Sequence, residues 1–347
     1  MVAGNIPDDV MKDILLRIPT KSIVRFRCVH KSWNFLFKSS SFIANHSKNF
    51  NNNFLLIDYF KNSSSGRQWS IRFLTHDTFN VYLDDVELPF KTKRGFCHIV
   101  GSCNGLVCFD DYIDTGHIFL YNPFLNQHKT LPQPYQVPYE DRVIGFGYDS
   151  VNNDYKVVFW YKEYNGALGY SNQFAQVYSL GMNCWRKVET PYHYYITPSF
   201  GNDSQRKAAV FLNGGIHWLG YSRRNPDLKG VICFNVSSEE VQWFLLPDYV
   251  KGLDMKISVY KDLLCLVNSR WNGCYYDMIW VMSKYGVQES WTRLHTLQRA
   301  SSDYDARFLR GILMNGELLW ENINYDGGSD HSCLTVDYPD DGNSKKY

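Results

Sequence analysis

Residues 6–37 read IPDDVMKDILLRIPTKSIVRFRCVHKSWNFLF, and this stretch sets the organisation of the whole chain. Pro7 stands where a first-turn proline forfeits no hydrogen bond, and Asp8 and Asp9 suit the positive end of a helix. Val10, Ile14 and Leu15 then fall on one helical stripe, flanked by Met11 and Ile18. Pro19 ends that helix. Thr20 is placed to cap a second, in which Ile23, Phe26 and Arg27 follow at i, i+3 and i+4. Residues 31–38 give a third short helix carrying Trp33, Leu36 and Phe37, and Ser41 is placed to cap a fourth with Phe42 and Ile43 inward. A unit of fewer than about 50 residues buries too little surface to be comfortable alone. Its apolar helices, divided by prolines, therefore read as built to lie against another protein.

Beyond Asn51-Asn52-Asn53 the helical period gives way to short strands. The runs are FLLIDYF (54–60), GLVCF (105–109), HIFLY (117–121), YKVVFWY (155–161), AVFL (209–212), VICFNV (231–236), LLCLV (263–267), MIWVM (278–282) and ELLW (317–320). Turn signals divide them: Asn104-Gly105, Asn165-Gly166, Asn213-Gly214, Gly273 and Asn315-Gly316. The pattern repeats, with related openings CNGLVCF, LNGGIHWLG and MNGELLW and closing anchors at Leu88-Pro89, Leu131-Pro132, Trp185, Leu246-Pro247 and Trp291. From Phe54 onward there is room for about six units near the ~50-residue period of kelch-like propeller blades. Radial stacking of small sheets protects the edges of such strands. A β-sandwich with long hairpins is the competing architecture.

Composition agrees. The 347 residues suffice for two domains, and 44% hydrophobic with 20% charged residues marks a globular chain. Aromatic residues make up 16%, which favours pleated, half-buried surfaces. A net charge of +1 argues against a protein whose main task is gripping nucleic acid. MVAGNIPDDV lacks a basic region followed by an apolar stretch, and no apolar run approaches the roughly 18 residues of a membrane span. The nine cysteines are scattered, and Cys97, Cys103 and Cys108 fit no paired zinc spacing. They read as reduced thiols of a cytoplasmic or nuclear protein. On that reading the N-x-S sequons at Asn45, Asn62, Asn202 and Asn235 carry no meaning.

Residues 6–42 resemble the F-box. The family's apolar-Pro opening is Ile6-Pro7, its second such step is Ile18-Pro19 after Ile14 and Leu15, and Cys28-Val29-His30-Lys31-Ser32-Trp33 matches its Val and Trp positions, with Leu36 and Phe42 completing the set. The remainder resembles the F-box-associated domain of plant F-box proteins, including the S-locus F-box group. The motifs are VGSCNGLVCF (100–109), LYNP (120–123), GFGYDSVNNDYKVV (145–158), VYSLGMNCWRKV (177–188), NGGIHW (213–218) and IWVMSKYGVQESW (279–291).

The resemblance implies an α+β multidomain protein: a small N-terminal three-helix F-box at 1–48, a linker at 49–53, and an all-β kelch-like β-propeller at 54–347. It implies a non-enzymatic receptor that recruits a protein target to a ubiquitin ligase. The F-box binds a Skp adaptor, and through it a cullin scaffold and a RING subunit. Carried over residue by residue, the adaptor contacts are Ile6, Pro7, Val10, Ile14, Leu15, Pro19, Ile23, Phe26, Val29, Trp33 and Leu36. Lys21, Arg25, Arg27 and Lys31 either meet acidic adaptor surface or form a solvated face. An S-locus relationship would make the target a style ribonuclease. The chain ends in the polar DYPDDGNSKKY, which leaves the last blade incomplete or closed by the 54–60 strand.

No catalytic residue, cofactor or metal ligand is assigned. G-x-S-x-G, H-E-x-x-H and G-x-x-x-x-G-K are absent from the sequence. Gly145-Phe146-Gly147 lacks the third glycine of a dinucleotide loop and reads as a turn before a strand, as does Asp110-Asp111 beside one. His98, His117 and His217 read as core or edge histidines. A propeller glycosidase would need converging carboxylates that the sequence does not offer. A propeller that binds a glycan or a regulator without promoting degradation is the alternative function. The connections 166–174, 190–200 and 269–277 mix Tyr, Trp, Asn, Ser and Gly, a composition suited to recognition. Tyr192, Tyr194, Tyr195, Trp271, Tyr275 and Tyr276 are accordingly the candidate substrate-binding residues, placed in loops, with packing between blades as the competing reading.

Overall fold

The structure is a computed structural model. It describes residues 6–39, 41–42, 45–46, 54–63, 66–75, 81–83, 86, 88–92, 97–111, 116–123, 125–135, 142–165, 170–190, 194–196, 209–250, 254–271, 275–298, 305–313, 315–326, 329–339 and 343–346. The chain divides into two compact units, 1–97 with 104–131, and 98–103 with 132–347.

The first unit opens with helices α1 (Asp8–Leu16), α2 (Thr20–Phe26) and α3 (Lys31–Leu36). Pro7 and Pro19 occupy the caps of α1 and α2 with nearly identical dihedrals, φ −53°, ψ 144° and φ −57°, ψ 146°. The expectation that Thr20 caps α2 is therefore corrected: Thr20 is its first helical residue, and no side chain caps either helix. Proline already holds the extended entry, so a polar cap has no vacancy to fill. At α3 the capping atom is Nδ1 of His30, which accepts from the Ser32 amide at 3.3 Å. α3 stops at Leu36 instead of running to residue 38. The next segment is capped by Ser39 rather than Ser41, through Phe42 N–H to Ser39 Oγ at 3.3 Å. Ile43 lies outside the described residues.

Leu15, Leu16, Ile23, Phe37 and Phe42 form the helical core. A run of rings threads it: Phe26 to Trp33 (5.9 Å), Trp33 to Phe37 (6.5 Å), Phe37 to Phe42 (5.2 Å), and Phe42 stacked on His46 (5.8 Å). His46 Nε2 donates to Ile18 O at 2.9 Å, which ties the end of the module to the α1–α2 turn. Two antiparallel sheets complete this unit. One comprises Phe54–Ser63, Gly66–Thr75 and Val81–Leu83; in the other, Leu106–Asp111, His117–Asn122 and Gln127–Thr130 pair in succession. Phe90 stacks on Phe119 at 4.0 Å and closes the face of the latter.

The second unit holds four antiparallel meanders, called here the third to sixth sheets. The third comprises Val143–Asp149, Asp154–Asn165, Tyr170–Ser179 and Cys184–Val188. In the fourth, Tyr194–Ile196 and Val210–Leu212 lie along one edge of Gly215–Ser222, followed by Lys229–Asn235 and Val241–Leu245. The fifth comprises Asp254–Tyr260, Leu263–Trp271, Tyr275–Met282 and Trp291–Gln298. The sixth comprises Asp305–Ile312, Leu318–Asp326, Ser329–Tyr338 and Asn343–Lys346. His98–Cys103 and the first strands of these sheets pack beside one another in order, and the sheet faces bury shared cores.

Several expectations change here. Asn343–Lys346 pairs with Thr335–Tyr338, so the polar end supplies a fourth strand to the last sheet, while Phe54–Ser63 pairs with Gly66–Thr75. Gly145-Phe146-Gly147 is mid-strand, not a turn. Its glycines answer to packing: a Cβ on Gly145 would come within 2.4 Å of Ile216 and Trp218, and one on Gly147 within 2.6 Å of Phe211. The neighbouring sheet approaches the bare backbone. Asp110 and Asp111 are likewise strand residues, both buried.

Candidate partner-binding surfaces

Val10 and Ile14 lie four residues apart and share one side of α1, and Ile6 precedes them at the extended entry before Pro7. All three are about half exposed, and Val29 and Phe35 are more so, at 62% and 77%. Apolar side chains left open this way on a small module mark a contact surface. Asp9, Val10, Asp13, Ile14 and Arg17 line an open groove beside the stripe, with Arg17 paired to Asp13 at 3.0 Å.

The structure splits the eleven F-box residues. Ile6, Pro7, Val10, Ile14, Pro19 and Val29 are outward. Phe26, Trp33 and Leu36 are half-buried against the core. Leu15 and Ile23, at 2% and 8% exposure, are core residues. Sequence reasoning missed Phe35, the most open apolar side chain of α3; it lies outside the motif positions, and no periodicity argument selects it. Arg25, Arg27 and Lys31 are exposed, and Arg27 Nε donates to Asn34 at 3.2 Å.

The six aromatic residues expected in recognition loops are placed differently. Tyr192 lies outside the described residues. Tyr194 and Tyr195 belong to the strand Tyr194–Ile196, paired with Gly220–Ser222. Tyr194 stacks face to face on Trp243 at 4.2 Å and 6°. Tyr195 tilts against Tyr221 at 5.6 Å, with Arg223 over its ring at 5.7 Å. Trp271 and Tyr275 are strand residues paired across the hairpin 263–282, and Tyr276 pairs with Arg270 one step further in. The loop placement is thus corrected: Tyr-rich composition is shared by recognition loops and by the ends of long hairpins. Tyr194 thus packs within its own sheet, on Trp243, rather than between blades. Tyr194→Ser is expected to cost about 2 kcal/mol, read as a lowered melting temperature, and Tyr195→Ser less.

A buried ionic cluster joins the third and fourth sheets. The ammonium of Lys156 donates to Asp149 Oδ2 (2.8 Å), Glu239 Oε1 (3.0 Å) and Val236 O (2.6 Å), and Arg186 pairs with the same Glu239 oxygen. Asp149 is fully buried and also accepts from Asn152 and Ser237. Burial alone would raise its pKa; these hydrogen bonds outweigh that and hold it well below the ordinary carboxylate value. Among the described residues, no cluster of His, Cys, Asp and Glu gathers as a metal site.

Three hairpins share a device that sequence reading overlooked. Tyr121, Tyr148 and Tyr178 each donate a phenolic hydrogen bond to an asparagine five residues on: Asn126 (3.1 Å), Asn153 (2.5 Å) and Asn183 (2.8 Å). Each asparagine has φ between 50° and 54°, a conformation its short polar side chain tolerates. YNPFLN, YDSVNN and YSLGMN are the visible signal, a Tyr-x4-Asn repeat.

Residues 55–338 match the F-box associated beta propeller domain, and residues 4–45 match the F-box domain. The chain belongs to this F-box family. Its relatives in Arabidopsis thaliana include F-box protein CPR1, 27% identical over 89% of this chain and 77% of that one. F-box protein At3g07870 is 25% identical over 92% of this chain and 78% of that one. The F-box/kelch-repeat protein At3g23880 is 27% identical, with 84% and 79% covered. Among solved structures, YjhT aligns with a TM-score of 0.39 at 12% identity over 84% of this chain and 91% of that one, too weak a likeness to carry an argument.

Proposed function

We propose that this protein is the substrate receptor of a Skp–cullin–F-box ubiquitin ligase, with residues 1–48 as the adaptor-binding module and 54–347 as the domain that selects a protein target. The observation that carries this reading is the exposed apolar set of Ile6, Val10 and Ile14, at α1 and its entry, on a module with the F-box motif. The outward set, with half-buried Phe26, Trp33 and Leu36 behind it, gives an apolar adaptor face; Leu15 and Ile23 support it from within. The contribution to ubiquitylation is proximity, since a held target presents its lysines at high effective concentration. The thioester chemistry belongs to other subunits. The target face is assigned to the hairpin ends around Tyr195, Trp271, Tyr275 and Tyr276, and a style ribonuclease is the target class that the S-locus resemblance supplies. The working compartment is the cytoplasm, the nucleus or both, the reading that the scattered reduced cysteines support. Affinity purification of the full chain tests the reading. Skp adaptor and cullin should co-purify, together with a protein whose level rises on proteasome inhibition. Recovery of a bound protein without cullin, its level unmoved by the inhibitor, would reject the ligase role.

A further inference from the structure

The turn 283–290, which joins the last two strands of the fifth sheet, is unusually well tied. Ser283 N–H donates to Ser290 O (3.1 Å), Lys284 N–H to Ser290 Oγ (3.1 Å), Val287 N–H to Lys284 O (3.1 Å) and Ser290 N–H to Val287 O (3.1 Å). From this turn Tyr285 reaches the fourth sheet. Its hydroxyl lies 2.7 Å from His217 Nε2 and 3.3 Å from Cys233 Sγ, and its ring meets Phe244 edge-on at 5.4 Å.

The protonation pattern follows from the partners. His217 Nδ1 faces the carbonyl of Val210 at 3.2 Å, and a carbonyl only accepts, so Nδ1 carries the hydrogen. Nε2 is then a bare acceptor and takes the Tyr285 O–H. That leaves the phenolic oxygen to accept from the Cys233 thiol. The chain runs S–H to O–H to N, and each link depends on a neutral imidazole.

We propose that Tyr285, His217 and Cys233 form a proton-sensitive clasp that fastens the 283–290 turn of the fifth sheet onto the fourth, and that protonation of His217 Nε2 releases it. A proton there points a second donor at the phenol and places a cation in a fully buried position. The backbone at Val210 and Gly215 offers the imidazolium partial compensation, which burial outweighs. The strand 210–212 presents a carbonyl, the strand 229–235 presents Cys233, the strand 241–245 presents the Phe244 ring, and the turn presents Tyr285. No charged group is among these described neighbours, and the turn's own Lys284 and Glu289 are exposed. Gly215 completes the fit: a Cβ there would sit 2.5 Å from Cys233 Sγ, 3.1 Å from His217 Cε1 and 3.3 Å from the Tyr285 oxygen.

Burial pushes the His217 pKa down from 6.5 to about 4. A histidine depressed in the folded state is more easily protonated once released, so the clasp is at full strength above 6.5 and weakens as pH falls toward 4. Between pH 7.5 and 5.0 these values shift the opening equilibrium about thirtyfold.

Hydrogen exchange on the full chain tests this, with protection factors corrected for intrinsic rates. The amides of 283–290 should lose about thirtyfold protection between pH 7.5 and 5.0, while those of Leu263–Met282 hold. His217→Gln, which keeps a polar group near Nε2 but cannot charge, should remove the pH dependence. Tyr285→Phe should leave the turn weakly protected at both pH values. Equal wild-type protection at the two pH values, an unchanged pH response in His217→Gln, or full protection in Tyr285→Phe would each overturn the clasp. Should His217→Gln fail to fold, the wild-type and Tyr285→Phe measurements still decide.

Discussion

Replacing Ile6, Val10 and Ile14 together with Ser is expected to reduce Skp adaptor binding at least a hundredfold while leaving the melting temperature nearly unchanged. Each side chain is about half exposed, so the folded chain gives up little when it is truncated. At an interface the balance reverses. An apolar anchor buried by the partner typically costs about 1–2 kcal/mol when removed, and about 1.4 kcal/mol is a factor of ten in affinity. Three such losses together come to about two to four decades. Leu15→Ala is the contrasting variant. Leu15 is one residue from Ile14 yet only 2% exposed, so its truncation should cost the module about 3 kcal/mol by leaving a cavity. Adaptor binding would then fall because the module opens, and melting or proteolysis would report it. Adaptor titrations of both variants by calorimetry, alongside thermal melts, separate the two effects. Full binding by the triple variant would move the adaptor contact elsewhere, with Val29 and Phe35 the next candidates.

That contrast also marks how far the sequence was legible. The F-box could be read because prolines and apolar residues occur in a fixed order, and the prolines do set both helix entries. Which neighbour faces inward could not be read. Ile14 and Leu15 point about 100° apart on α1, and only the packing of α2 and Phe42 settles which of them is covered. Strands were legible where both faces are buried, as at Tyr155–Tyr161. They were invisible at outer edges such as Gln127–Thr130 and Asn343–Lys346. The first of these is exposed throughout, and a strand wetted on both faces has no apolar period to find. Gly145 and Gly147 misled for a related reason: glycine signals a turn or a close approach, and the second meaning depends on Trp218 and Phe211, more than sixty residues later. The cluster around Lys156 was equally hidden, since its members come from positions 149, 156, 186 and 239.

That cluster carries the largest expected stability effect. Lys156→Ala should destabilise the second unit by about 3–5 kcal/mol. All three ammonium hydrogens have partners, two of them carboxylates, and Asp149 is fully buried. Removing the cation leaves Asp149 with only the neutral donors of Val151, Asn152 and Ser237, and a buried unpaired charge is the costly outcome. Exposed Arg186 can still reach Glu239, so Asp149 bears most of the loss. Lys156→Ala with Asp149→Asn should recover part of it, because the amide needs no counter-charge; non-additivity of this kind identifies a coupled pair. The pH response fixes the direction independently. In the wild type the Asp149 pKa is depressed below 3.8, so its contribution is complete above about 4 and drains away only in stronger acid. Without the ammonium, burial acts with less opposition, the carboxyl pKa rises, and the loss begins at higher pH. Urea midpoints measured at pH 7 and pH 4.5 should therefore differ more for Lys156→Ala than for the wild type. A parallel response, or a loss under about 1 kcal/mol, would show that water reaches these carboxylates and that the sheets are held by their apolar faces alone.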